Sequence, residues 1–140
     1  MDLDALETSF DLVAPRGDEL MEIFYARLFA AAPAVRPLFA GSDMARQRAM
    51  LLSALVLLRN SLRDLDAVAP TLKKLGARHV AYGAQAEHYP VVGAVLIASM
   101  AEIAGPEWQP EYEDAWAEAY SIVAGAMLDG AAAAELPRAA

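Results

Sequence analysis

The sequence contains no cysteine and few positively charged residues. Without cysteine there are no disulfides, iron–sulfur clusters or thiolate metal sites, and no prosthetic group attached through a Cys-x-x-Cys-His motif. Eleven Lys and Arg residues face nineteen Asp and Glu residues, which gives a formal net charge of -8. Nucleic acids and anionic membranes bind basic surfaces, so we expect no nucleic-acid partner.

Long hydrophobic runs are absent as well. The longest apolar run, Val91 to Ala101, is too short to cross a bilayer. The first ten residues, MDLDALETSF, are acidic and lack the basic start and apolar stretch of a signal peptide. We therefore expect a cytoplasmic protein with no membrane span.

Several catalytic motifs are also missing. The Glu-x-x-His signature of di-iron bundles fails because Gly76 and Gln85 stand three residues before His79 and His88. There is no His-Glu-x-x-His, Walker, Gly-x-Gly-x-x-Gly or Gly-x-Ser-x-Gly motif. The sequence thus supports no hydrolytic triad, and we assign no catalytic residue.

The residues that are present predict a single all-α domain over residues 1–140. The chain is 57% hydrophobic, and no segment alternates polar and apolar residues convincingly with period two. Apolar spacings of three and four, separated by Pro and Gly, predict about seven helices. We expect Asp18 and Asp43 to cap helices, Pro70 to lie in a first turn, and residues 131–140 to extend the last helix or fray.

His79 is the most informative residue. Val68, Leu72, Leu75 and His79 are spaced by four, three and four, which places the histidine on the apolar face of a helix. A buried imidazole needs a hydrogen-bond partner or a metal. Two interpretations follow, a core histidine bonded to a backbone carbonyl and a ligand to a metal.

Three further polar or aromatic residues favour the ligand interpretation. Gln47 begins the inward face of its helix, Tyr25 lies beside the buried stripe of the second helix, and Phe39 precedes a polar loop. One inward histidine with these neighbours fits a pocket for an iron cofactor that takes a single protein ligand.

The chain resembles single-domain bacterial globins related to the haem domain of flavohaemoglobins, from about Leu20 to Met127. The order and spacing of five segments carry this resemblance: Phe24–Phe29, Pro33–Phe39, Ala77–His79, His88–Gly93 and Ala115–Tyr120. The resemblance implies a globin fold around a haem pocket.

The resemblance also implies roles at the cofactor. His79 would be the proximal ligand of a non-covalent haem b, and Phe39 would pack against the porphyrin. Arg78 would pair with a haem propionate, or else be an ordinary exposed arginine.

On the distal side, Tyr25 and Gln47 would donate hydrogen bonds to bound dioxygen, and Leu51 would cover the iron. The loop between Phe39 and Gln47 is a little shorter than in well-known members of the family.

On the proximal side, Tyr89 matches the tyrosine that flavohaemoglobins use with a glutamate to polarise the ligand histidine. Ala131 stands where that glutamate is expected. Glu135 lies one turn later and would substitute only if the tail stays helical and shifts.

Three functions are open from the sequence. The leading expectation is a reversible dioxygen carrier or store that also binds carbon monoxide and nitric oxide. The alternative is a nitric oxide dioxygenase that depends on a separate reductase. The third is a globin-fold interaction module without haem, and we expect a monomer or homodimer in each case.

Overall fold

The computed structural model describes residues 1–135, which form six α-helices and three short 3-10 segments without a strand. The α-helices are α1 (Leu3–Val13), α2 (Gly17–Ala31), α3 (Met44–Asn60), α4 (Leu65–Ala81), α5 (His88–Ala104) and α6 (Pro110–Glu135). The 3-10 segments are Ala14–Arg16, Pro33–Phe39 and Gly105–Glu107. The all-α prediction is confirmed, and the described residues contain six α-helices where the sequence predicts about seven helices.

Aspartate side chains cap two helices, and one of these caps was predicted. The Asp2 carboxylate accepts a hydrogen bond from the Ala5 amide at 3.0 Å at the start of α1. Asp43 accepts bonds from the Ala45 and Arg46 amides at 3.0 and 3.4 Å at the start of α3, as its sequence position predicts. These side chains satisfy amides that have no partner inside the helix.

The predicted cap at Asp18 is wrong. Helix α2 begins at Gly17 with Arg16 in the capping position, and no side chain caps it. Gly17 is buried, and a Cβ atom there would lie 2.9 Å from Leu52 Cδ2. The helix therefore begins two residues earlier than predicted, and Asp18 lies in the first turn, where its charge favours the helix dipole.

The predicted place of Pro70 is also wrong. Helix α4 begins at Leu65, so Pro70 is the sixth residue and lies inside the second turn. Proline has no amide hydrogen for the carbonyl of Asp66, four residues earlier. Asp66 is exposed, so water can solvate that carbonyl.

The core lies where α1, α2, α5 and α6 meet. Trp116 is 1% exposed, and its indole N–H donates to Ser9 Oγ at 2.8 Å. The apolar stretch His88–Glu107, which contains α5, is long and apolar enough to cross a membrane by those two measures. A central helix of a folded domain passes the same test, and 44% of the 18 most apolar consecutive residues of this stretch are buried here.

Helix α4, which bears His79, packs mainly against α6 at very short range. A Cβ atom on Gly76 would lie 1.8 Å from the Met127 carbonyl oxygen, and one on Gly130 would lie 1.9 Å from the Lys73 carbonyl oxygen. Only glycine permits this approach of the two backbones. These two glycines therefore fix the distance between α4 and α6.

Helix α3 packs against α1 and α2, and is not among the helices that pack closely on α4. A short turn at residues 61–64 joins α3 to α4. Beyond α4 the chain returns to the 3-10 segment, since a Cβ atom on Gly83 would lie 2.9 Å from Leu38 Cδ2. The two ends of the segment 33–83, which contains α3 and α4, therefore lie close together.

Candidate functional site

His79 has one ring nitrogen bonded and the other available. Its Nδ1 lies 2.7 Å from the carbonyl oxygen of Leu75, one turn earlier in α4, and the ring is half-buried. A carbonyl only accepts hydrogen bonds, so Nδ1 carries a proton, and in the neutral imidazole Nε2 then has the lone pair. This is the tautomer and the orientation that a metal ligand needs.

Protein side chains alone do not form a metal site in the part of the chain that the structure describes. No group of three or more His, Asp or Glu residues is placed to hold an ion among residues 1–135. An iron bound by His79 must therefore bring most of its ligands with it, as a porphyrin does.

Tyr25 and Phe39 come together in an aromatic cluster. The ring of Tyr25 meets that of Phe39 edge-on at 5.7 Å between centroids, and Phe29 lies 5.4 Å from Phe39. Tyr25 is 8% exposed, and burial raises the pKa of its phenol, an effect that the charge of Arg48 partly opposes. The phenol therefore keeps its proton at neutral pH and can act as a hydrogen-bond donor.

Gln47 and Leu51 lie one turn apart on α3, and both are half-buried. The Gln47 amide nitrogen is 3.5 Å from Ser42 Oγ, at the outer limit of a hydrogen bond. The amide is therefore held weakly and is free to donate elsewhere. Leu51 packs against the edge of the main core.

The surface of α3 suits a large apolar cofactor. This helix carries five leucines, a valine and two methionines, yet only Leu55 is buried. Protein atoms therefore cover little of an apolar helix that stands apart from α4. A flat apolar macrocycle between α3 and α4, ligated through His79 Nε2, fits both observations.

The proximal side lacks an acid partner for Tyr89. Tyr89 is buried, and its hydroxyl has no hydrogen-bond partner among the described residues. Helix α6 does continue to Glu135, but that residue is exposed and makes no bond to Tyr89. Tyr120, also on α6, donates its O–H to the backbone carbonyl of Tyr89 at 2.6 Å.

Tyr82 is the residue near the site that the sequence missed. An aromatic residue at the end of an apolar helix face is more often core than a cofactor contact, and that interpretation is wrong for Tyr82, whose side chain is 58% exposed. Its ring meets the imidazole of His79 edge-on at 5.4 Å between centroids. Arg78, one turn before Tyr82, is exposed and forms no ion pair with any residue in 1–135.

Comparison with known proteins finds one matching family and several related proteins. The sequence model of one family, Globin, matches residues 22–127. A flavohemoprotein from Bacillus thuringiensis is 30% identical over 128 residues, which are 90% of this chain and 31% of that protein. A flavohemoprotein from Bordetella parapertussis is 32% identical over 114 residues, which are 80% of this chain and 28% of that protein.

Two solved structures share the fold. An engineered carbene transferase from Rhodothermus marinus, described as a candidate nitric oxide dioxygenase, matches with a TM-score of 0.83 and 26% identity, covering 94% of this chain and 91% of that chain. A bacterial globin from Campylobacter jejuni matches with a TM-score of 0.81 and 23% identity, covering 94% of each chain. The chain spans about a third of the length of the flavohemoproteins that it matches.

Proposed function

The chain belongs to the globin family, which implies haem binding, and from this membership we propose that it acts as a nitric oxide dioxygenase. In that reaction nitric oxide, dioxygen and one electron give nitrate, so a reductase must supply the electron. The descriptions of the relatives support the proposal, since they include flavohemoproteins and a candidate nitric oxide dioxygenase.

The observation that carries the proposal is the geometry of His79. Its Nδ1 is bonded to the Leu75 carbonyl, which leaves Nε2 to hold a non-covalent haem b. When bound, haem supplies an iron with one open position for a diatomic gas. Phe39 packs edge-on against Tyr25 on the proposed distal side, and exposed Arg78 is available for a propionate.

The distal residues hold and shield the gas. Tyr25 presents a protonated phenol, and Gln47 presents an amide that Ser42 holds only weakly. Hydrogen-bond donors aimed at a partly negative bound dioxygen slow its release, because each donor stabilises the bound state by about 1 kcal/mol. Leu51 supplies apolar surface that excludes water.

The haem assignment is tested with absorption spectra of the dithionite-reduced protein, with and without carbon monoxide. We expect a sharp Soret band that His79→Ala loses or alters strongly. The matched control is His88→Ala. His88, the first residue of α5, is also half-buried, but its Nδ1 accepts a hydrogen bond from the backbone N–H of Gln85. Equal loss in both variants would reject His79 as the ligand.

Turnover then decides between the enzyme and a carrier. With a reductase and NADH present, a dioxygenase consumes nitric oxide over many cycles and releases equal amounts of nitrate. Consumption of one equivalent followed by stalled ferric protein would reject the enzyme and leave reversible dioxygen binding. The unpartnered hydroxyl of Tyr89 favours this second candidate, because no acid on α6 strengthens the proximal ligand through it.

A further inference from the structure

The positive charge of this acidic chain is concentrated in one part of it. Residues 33–85 contain eight Lys and Arg residues and three Asp and Glu residues, for a formal charge of +5. The other 87 residues contain three Lys and Arg residues and sixteen Asp and Glu residues, for a formal charge of -13. The helices around the candidate site are therefore basic, and the rest of the molecule is acidic.

An exposed stripe on α4 carries part of this charge. Lys74, Arg78 and Tyr82 are each one helical turn apart and all exposed, so they follow one side of the helix. Residues 67–86 contain no Asp or Glu. No ion pair within residues 1–135 uses Lys74 or Arg78, so no carboxylate of the described chain neutralises either charge.

The 3-10 segment extends this stripe. Leu38, 39% exposed, contacts Gly83 beside Tyr82, and exposed Arg36 lies on the same segment with its guanidinium over the ring of Phe29. Exposed apolar side chains, Leu38 and Tyr82, thus lie on two segments that touch at Gly83, with Arg36 two residues before Leu38 and Arg78 one turn before Tyr82. Transient protein interfaces have this composition, with charges that steer the partner and an apolar centre that it covers.

The same surface is in direct contact with the candidate iron ligand. Tyr82 is more than half exposed, and its ring also packs edge-on against the imidazole of His79. A partner that covers Tyr82 would therefore be separated from the candidate iron ligand by only one side chain.

We propose that Lys74, Arg78, Tyr82, Leu38 and Arg36 form the docking surface for an acidic electron-donor protein of the flavoprotein class. The inference rests on the proposed function, which needs one electron per cycle. The reduced flavin of the donor gives up one electron, ferric iron gains it, and no bond forms or breaks. An acidic partner suits this basic surface and is repelled by the remainder of the chain, which orients the encounter.

Binding is measured by NMR titration of the haem-loaded, ¹⁵N-labelled chain with oxidised flavodoxin, an acidic FMN protein. We expect chemical-shift changes centred on the docking surface at low salt, and weaker binding at about 0.2 M salt, where charges are screened. The variant Lys74→Glu/Arg78→Glu should raise the Kd at least about tenfold.

The matched control is Arg16→Glu/Arg27→Glu, which changes the net charge equally on exposed residues outside the basic region. We expect its Kd to stay within about twofold of the starting value. Equal weakening by both double variants would overturn the proposal, as would shifts centred elsewhere or no binding at low salt. Self-association of the chain through the same residues, seen by sedimentation, would also overturn it.

Electron transfer gives a second readout. In stopped-flow mixing with flavodoxin hydroquinone, Tyr82→Ser should slow reduction of the iron severalfold, while the carbon-monoxide spectrum of the reduced protein stays unchanged. Unchanged reduction in this variant would reject the role of Tyr82. A chain without any Soret band would instead reject the proposed function, so the two failures are distinguishable.

Discussion

At the residue scale, Tyr89 and Tyr120 differ in one hydrogen bond. Tyr120 donates to the Tyr89 carbonyl at 2.6 Å, whereas the buried hydroxyl of Tyr89 has no partner. A buried hydroxyl loses its water and regains nothing unless it is bonded. We therefore expect Tyr89→Phe to leave the free energy of unfolding unchanged or raise it by up to about 1 kcal/mol. Tyr120→Phe should lower it by about 1 kcal/mol in urea titrations.

The two variants control each other because both remove one phenolic oxygen from the same small cluster between α4, α5 and α6. Loss of stability in Tyr89→Phe as large as in Tyr120→Phe would show that the Tyr89 hydroxyl does find a partner.

Tyr25 allows a prediction on gas release. Its phenol is buried and keeps its proton, so it can donate to dioxygen. Bound carbon monoxide carries less negative charge than bound dioxygen, so a hydrogen bond from the Tyr25 phenol stabilises it less. We expect Tyr25→Phe to speed dioxygen release about fivefold, equivalent to about 1 kcal/mol, with little change for carbon monoxide. Flash photolysis and stopped-flow mixing measure both rates, and an equal change for the two gases would indicate altered packing instead.

The site was predictable where a residue breaks a pattern, and less so elsewhere. His79 interrupts an apolar stripe, and its bond to the Leu75 carbonyl follows from the helix itself. Tyr82 gave no such signal, because an aromatic side chain at the end of a helix can be either covered or left open by the chain that follows. Its exposure depends on the path of the chain after the helix, which is a tertiary property.

At the element scale, two glycines set the position of the helix that bears His79. A Cβ atom on Gly76 would overlap the Met127 carbonyl in α6, and backbone atoms cannot rotate away as a side chain does. We expect Gly76→Ala to lower the free energy of unfolding by about 1–3 kcal/mol. Because α4 would move, the haem Soret band should also broaden or shift.

Gly125 provides the matched control. It lies in the same helix as Met127, and a Cβ atom there would meet no atom within 4 Å. Gly125→Ala should raise stability by about 0.5–1 kcal/mol, since alanine favours the helix. Urea unfolding compares the two, and destabilisation by Gly125→Ala equal to that by Gly76→Ala would contradict the close helix contact.

Helix boundaries could be predicted where local chemistry sets them. Asp43 caps α3 through its own carboxylate, and Gly105 ends α5 with a positive φ of 60° that glycine adopts easily. The start of α2 could not be predicted in this way. Gly17 lies inside the helix and packs against Leu52, which is 35 residues away in sequence. Packing between distant segments overrides local preference there.

At the scale of the whole molecule, ion pairs join the acidic first helix to the basic part of the chain. Arg59 and Arg63 bond the carboxylates of Glu7 and Asp11 on α1, and Arg63 also reaches Asp4. These arginines hold the pKa values of Glu7 and Asp11 below their ordinary range. A lowered carboxyl pKa stabilises the fold above the unfolded pKa, and this contribution is lost as pH falls through the folded pKa. All of these groups lie at the surface, with Glu7 and Arg59 partly covered, so the effect is small and screened by salt.

The alkaline limit of stability comes from the buried phenols. Burial raises the pKa values of Tyr25, Tyr89 and Tyr120 above the ordinary value of 10, and Tyr120 is raised further by its neighbour Tyr89. Above about pH 10 the unfolded chain releases these protons while the folded chain keeps them. The unfolded state then binds fewer protons, so the free energy of unfolding must fall as pH rises, by up to about 1.4 kcal/mol per pH unit for each such tyrosine.

Urea titrations between pH 8 and 11 test this dependence. The variant Tyr89→Phe/Tyr120→Phe removes two of the three phenols, so its stability should fall less steeply above pH 10 than that of the parent chain. Below pH 9 the two curves should run parallel, because no phenol titrates there in either state. Parallel curves over the whole range would assign the alkaline loss to repulsion within a chain whose net charge is already -8 at neutral pH, rather than to the buried tyrosines.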